Sequence, residues 1–287
     1  MLLNNVAFLA TDINTSRCYL QVLFDNNIIP SEIIFVEIQK KKDLKFYKKR
    51  IKSIIKSILF QKSKSPGKPD PKTENQRKIL KNQLQSEIEI YLKKEQLPSP
   101  DYTLNTMDIL TNKGLKFDQI QIQSINDPKL IRHLDTQVKS EYVIFSGGGI
   151  LRKNILQAKR FIHVHPGVVP DVKGAHCFLW SALVRDKIGM SAFFMNEGID
   201  TGDIITTREY PKPKLNLKIN TGYVRTLGKY LIDHLDPSYR ADLLVSLFKK
   251  DPDPANWSTA KQDPSDGKTY YFMHNEVMEM ALLKLAI

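Results

Sequence analysis

Three short apolar runs, VAFLA (6–10), IIFVEI (33–38) and YVIFS (142–146), and a further predicted strand over 119–125 alternate with stretches whose apolar residues recur at helical spacing. Runs of this length suit strands buried on both faces. The helices predicted near 16–24, 104–112 and 128–134 can carry the chain back so that successive strands run parallel. The pattern therefore predicts an α/β fold that opens with a βαβ unit and is built on a mostly parallel sheet. Ligands of such sheets sit outside the C-terminal strand ends. Gly147, Gly148 and Gly149 follow YVIFS directly and are expected to form a ligand-facing loop, with a tight turn as the plainer alternative. The chain has no GxGxxG, no P-loop and no internal repeat.

Downstream, FIHVH (161–165) reads as a strand ending in a Pro-Gly turn. A helix over 176–185, a strand over 189–195, the turn EGIDTGD and a strand over 204–210 follow. His163 and His165 then lie at a strand end and Asp200 on a later loop. Attack on a carbonyl needs a cationic or hydrogen-bonding group for the developing oxyanion and a carboxylate that keeps an imidazole oriented and protonated. His165 and Asp200 match those roles. Two other readings stay open: the histidines satisfy buried backbone groups, or His163, His165, His176 and Asp200 form a divalent-metal cluster. Asp200 also suits a simple turn, and His133, His176, His234 and His274 default to structural roles.

The net charge of +12 is concentrated. Residues 40–94 hold 18 Lys and Arg against five Asp and Glu, a net +13, so the remainder is balanced at −1. Two apolar stripes at helical spacing, Leu44 to Leu59 and Leu80 to Tyr91, flank KSKSPGKPDPK and predict a basic helical hairpin with a flexible linker near 63–72. Its stripes should pack on each other, on the rest of the chain or on a second copy, so a homodimer is one expected assembly. Nucleic acid is a second, less favoured partner for its lysines, and a solvated helix face is the plainer reading. Cys18 and Cys177 are far apart and support neither a disulfide framework nor a cysteine zinc site. The start MLLNNVAFLATD lacks a basic leader, and no apolar run approaches the ~18 residues of a membrane span. A cytoplasmic protein without a membrane span is expected.

The run HVHPGVVPDVKG…GMSAFFMNEGIDTGDII resembles the catalytic region of the folate-dependent formyltransferases. That group contains the glycinamide ribonucleotide, methionyl-tRNA and nucleotide-amino-sugar formyltransferases. Its pattern is Asn-x-His-Pro, a loop with Pro and Gly, then an aspartate in a DTG or DGG turn. His165 matches the family histidine, and Asp200-Thr201-Gly202 the family turn. FSGGGIL (145–151) is similar to the loop that lines the family's pterin pocket, one residue shorter. The resemblance covers roughly residues 1–38 and 100–210. It implies a Rossmann-like catalytic domain over 1–210, with the basic helical insertion at about 40–96 and a small C-terminal extension over 211–287.

The resemblance further implies an enzyme that transfers formyl from the cosubstrate 10-formyltetrahydrofolate to an amine and needs no metal. Catalytic roles fall on His163, His165 and Asp200, and cofactor contacts on Phe145, Gly147, Gly148, Gly149, Ile150, Thr201 and Gly202. His163 departs from the pattern: the family asparagine amide donates to the formyl oxygen, whereas an imidazole N–H has a different reach and titrates. Transfer-RNA formyltransferases carry a C-terminal barrel. Here the residues after Tyr210 read as helices at 221–235 and 240–248 with a strand-like tail at 268–274. The expected acceptor is therefore a small-molecule amine, a nucleotide-linked amino sugar first. The alternatives are a methionyl-tRNA-type enzyme, or a degenerate member acting as a non-catalytic folate- or partner-binding module.

Overall fold

The apolar runs become the strands of one seven-stranded sheet in the computed structural model, which describes residues 1–39, 71–217, 219–263 and 265–287. The first βαβ unit is β1 (Leu2–Thr11), α1 (Asn14–Asp25) and β2 (Ile29–Ile38). Then come α2 (Pro71–Lys94), α3 (Thr106–Asn112), β3 (Asp118–Ile122), α4 (Pro128–Thr136), β4 (Tyr142–Phe145), α5 (Lys153–Leu156) and β5 (Arg160–His165). These five strands are parallel, in the order β3-β2-β1-β4-β5. Next are β6 (Val172–Gly174), α6 (Cys177–Arg185), β7 (Lys187–Phe194) and β8 (Asp203–Pro211). β7 and β8 extend the sheet antiparallel beyond β5.

Because successive residues of a strand point to opposite faces, each strand feeds two cores. Phe8, Ile33, Ile144 and Ile162 belong to the apolar cluster on one face, and their neighbours Leu9, Ile34, Val143 and Phe161 to the cluster on the other. This explains runs that are apolar without alternation. Local chemistry sets several helix starts: Asn105 and Asp108 form a reciprocal capping box on α3, and the Asp127 side chain accepts from the Lys129 amide at the start of α4, where Pro128 takes the first turn.

The rest of the chain packs onto the first face. α7 (Val224–His234), α8 (Asp236–Lys250) and α9 (Asn275–Leu285) follow β8, with β9 (Lys268–Tyr270) pairing parallel to β6. Leu231, Leu244 and Leu282 share the cluster that holds Phe8 and Ile162, so residues beyond 210 and the sheet close one core. The second apolar stripe lies on α2, where Leu84, Ile88, Tyr91 and Leu92 enter the same cluster and the Tyr91 hydroxyl lies 2.7 Å from that of Tyr239. Of the packings expected for that stripe, this is packing on the rest of the chain. The stripe from Leu44 to Leu59 lies outside the described residues, as does the linker up to residue 70, whereas Pro71 and Lys72 already belong to α2. Among the described residues no helix is long and apolar enough to cross a membrane.

Candidate active site

Residues two apart on a strand share a face, so Phe161, His163 and His165 all emerge on one side of β5. Antiparallel pairing sets Phe193 opposite His163 and Ser191 opposite His165. The His163 ring lies 6.0 Å from that of Phe145 and 5.6 Å from that of Phe193, so its apolar edges are covered by aromatics. Ser191 ties down the turn after β5: its hydroxyl donates to the Gly167 carbonyl at 2.6 Å and accepts from the Val169 amide at 3.0 Å. A Cβ on Gly167 would stand 2.2 Å from the Val172 carbonyl oxygen, so a glycine is required for the chain to turn so closely under His165.

Asp200 arrives from the turn between β7 and β8, in a left-handed conformation with φ 54°. Its Oδ2 accepts from the Gly174 amide at 2.8 Å and lies 3.5 Å from His165 Nδ1. Gly174 has φ +111°, and a Cβ there would stand 2.2 Å from the Tyr270 carbonyl oxygen, so the β6–β9 pairing that aims this amide depends on glycine.

The far ring nitrogens decide the tautomers. His165 Nε2 is 3.3 Å from the Val172 carbonyl oxygen, and His163 Nδ1 is 3.4 Å from that of Phe145. A carbonyl only accepts, so both of those nitrogens carry the hydrogen. In the neutral rings, His165 Nδ1 and His163 Nε2 therefore present lone pairs. One possible ligand atom from each of His163, His165 and Asp200 lies within 4.8 Å of the others.

Arg240 adds a charge that the sequence reading missed. Its guanidinium forks onto Asp236, with Nε 3.0 Å from each carboxylate oxygen and Nη2 closing the pair, while Nη1 donates to the Val164 carbonyl at 3.3 Å. Asp236 is 1% exposed, so the ion pair is held within the fold. Burial first, and then the Arg240 cation, push the imidazoles down, to about 3 for His165 and about 4 for His163. Burial raises the Asp200 carboxyl, opposed chiefly by His163. The sequence reading expected Asp200 to keep His165 cationic. Burial and Arg240 instead favour the neutral ring at His165, opposed by its hydrogen bond to the Val172 carbonyl.

These groups line a cavity of about 490 Å³, within the range of small-molecule sites. Of the expected cofactor contacts, Phe145, Gly147, Gly148, Gly149 and Ile150 line it. Thr201 and Gly202 do not: the Thr201 hydroxyl donates to Asn196 Oδ1 at 2.7 Å, and Gly202 packs against the Phe194 backbone, so both build the turn that carries Asp200. His176, read as structural, lies in the wall, with Nδ1 accepting from the Met273 amide at 3.2 Å. Tyr271 and Phe272, 77% and 76% exposed, form its outer edge. The signal for Arg240 was its i,i+4 spacing from Asp236, hidden because the helix was read as starting at residue 240 when it begins at Asp236.

Residues 4–214 match the family model described as formyl transferase. A methionyl-tRNA formyltransferase from Syntrophus aciditrophicus (strain SB) is 32% identical over 117 residues, 39% of this chain and 38% of that protein. One from Ehrlichia canis (strain Jake) is 26% identical over 178 residues, 59% of this chain and 55% of that protein. The matched stretches thus span between 38% and 55% of these two relatives' length. Among solved structures, a sugar N-formyltransferase from Shewanella sp FDAARGOS_354 aligns over 98% of this chain and 87% of its own, with 14% identity and a TM-score of 0.49.

Proposed function

The chain belongs to the formyl transferase family, and we propose that it transfers the formyl group of 10-formyltetrahydrofolate to the amine of a small substrate, a nucleotide-linked amino sugar first. The observation that carries this reading is the convergence of two imidazole lone pairs and a carboxylate at the floor of the cavity. An amine that attacks a carbonyl must shed a proton, and these are the groups that take one. Bound 10-formyltetrahydrofolate supplies an electrophilic formyl carbon and an amine leaving group. Phe145, an aromatic, and the triglycine line the same cavity as the acceptors, which supports a flat ring system as the ligand.

As the substrate nitrogen bonds to the formyl carbon, its proton passes to His165 Nδ1, and Asp200 Oδ2, 3.5 Å away, stabilises the imidazolium so formed. Asp200 therefore acts on a charge that arises during the reaction. The bond from the formyl carbon to the donor's nitrogen then breaks, and His165 gives the proton to that departing nitrogen. With its Nδ1–H held by the Phe145 carbonyl, His163 turns Nε2 to the cavity and donates toward the formyl oxygen only when that nitrogen is protonated. Arg240 adds positive potential where negative charge develops on that oxygen.

The amino-sugar reading is supported by the described residues beyond 211, whose helices α7, α8 and α9 pack into the core beside the sheet. The methionyl-tRNA reading is favoured by the names of the sequence relatives and by the exposed Lys78, Lys81, Lys93 and Lys94 on α2. Rates with nucleotide-linked amino sugars and with methionyl-tRNA as acceptors separate the two. His165→Ala and Asp200→Ala are each expected to lower the folate-dependent rate by about 10²–10³-fold with the circular dichroism spectrum unchanged. Wild-type turnover in either variant would remove that residue from the reaction.

A further inference from the structure

We infer that His163, His165 and Asp200 form a binding site for one divalent first-row transition-metal ion of the Zn²⁺ class. The inference does not depend on formyl transfer. It begins from His163, a second imidazole donor where the family pattern has an asparagine. Metal-bound histidines typically donate their other ring N–H to a carbonyl or carboxylate, which fixes the tautomer and aims the lone pair. Both histidines already do so, His165 to Val172 and His163 to Phe145. The carboxylate is oriented in the same way by the Gly174 amide. Three acceptors without a donor between them repel one another, and a cation relieves that repulsion.

The donor set selects the ion. Two imidazole nitrogens and one carboxylate suit Zn²⁺, Co²⁺ or Fe²⁺, whereas Mg²⁺ and Ca²⁺ prefer all-oxygen shells. Arg240 is ion-paired with Asp236, and the Asp200 carboxylate is the anion that the donor set brings to the ion. Three protein ligands facing a 490 Å³ cavity leave further positions for water or a ligand. Zinc bonds of about 2.1 Å bring tetrahedral donors to about 3.4 Å apart. His165 Nδ1 and Asp200 Oδ2, 3.5 Å apart, already stand close to that spacing, so the contraction of the 4.8 Å spread falls on the contacts of His163. The ion and an attacking amine would use the same atoms, so they exclude one another.

The probe is Co²⁺ added to the untagged full chain after treatment with a chelator. One equivalent is expected to produce d–d absorption in the visible, removed by one equivalent of Zn²⁺. His163→Asn and Asp200→Asn should each weaken binding by about 100-fold or more. His133→Asn, which removes the His133–Asp118 pair at 2.9 Å on another part of the surface, should leave it unchanged. Absence of the absorption, or Co²⁺ binding insensitive to His163→Asn, overturns the inference. Formyl transfer is assayed separately with chelator present, so the failure of either idea is visible without the other.

Discussion

At the scale of single residues, the candidate site gathers two imidazoles and a carboxylate on the wall of one cavity. The histidines and the aspartate were legible in the sequence because a strand, a Pro-Gly turn and a later glycine-flanked turn place them at adjacent loop ends. Their charge was not legible, since it depends on burial and then on Arg240, a residue 75 positions beyond His165 whose guanidinium donates to the Val164 carbonyl. The consequence can be tested by pH. Both imidazoles titrate near 6.5 when unfolded and well below that when folded. Between those values the unfolded chain binds more protons, so stability present above pH 6.5 is lost as pH falls. Each histidine contributes at most about 1.4 kcal/mol per pH unit in that window. This is an upper bound for His163, which is partly open to the cavity. The raised carboxyls of Asp200 and Asp236 act in the opposite sense above their ordinary range. With chelator present, urea titrations between pH 7 and 4.5 should give a shallower loss for His163→Asn than for wild type. Equal slopes would mean that His163 takes up its proton while folded.

At the scale of elements, period and length located what composition could not. The buried strands stood out because both sheet faces are covered, and α1, α4 and α6 because their apolar residues share one side. Three elements escaped, of which α5 is a single turn of four residues. β6 is three residues long and exists by virtue of its partner β9. α9, in NEVMEMALLKL, is apolar over most of its circumference, with Met280 and Leu283 exposed opposite Met278 and Leu282, so no stripe separates its faces. For α2 the stripe was clear but its destination was not, because a charged helix can cover a core as well as hang from it. Ile88 is 4% exposed inside the main cluster. Ile88→Ala is therefore expected to cost about 2–5 kcal/mol in denaturant unfolding. A loss below about 0.5 kcal/mol, the usual range of surface substitutions, would mean that α2 does not belong to the core.

At the scale of the whole molecule, the mostly parallel sheet and the helices beyond residue 210 are one cooperative body. The backbone joins them as well as the side chains: the Leu215 amide donates to the Leu285 carbonyl at 2.8 Å, and the Ile287 amide to the Leu215 carbonyl at 3.0 Å. Removing 275–287 uncovers Leu231, Phe178 and their neighbours, so the truncated chain should melt many degrees lower and bind hydrophobic dyes. An unchanged melting temperature would make α9 dispensable. The β6–β9 pairing has a temporal meaning too. On the ribosome, the strands and histidines up to residue 165 emerge long before Lys268–Tyr270, at roughly 5–20 residues per second. The amide that grips Asp200 is aimed only when that late strand arrives. Until that strand has emerged and paired, the turn that carries Asp200 lacks the partner that fixes it, so the site is among the last parts of the fold to be completed.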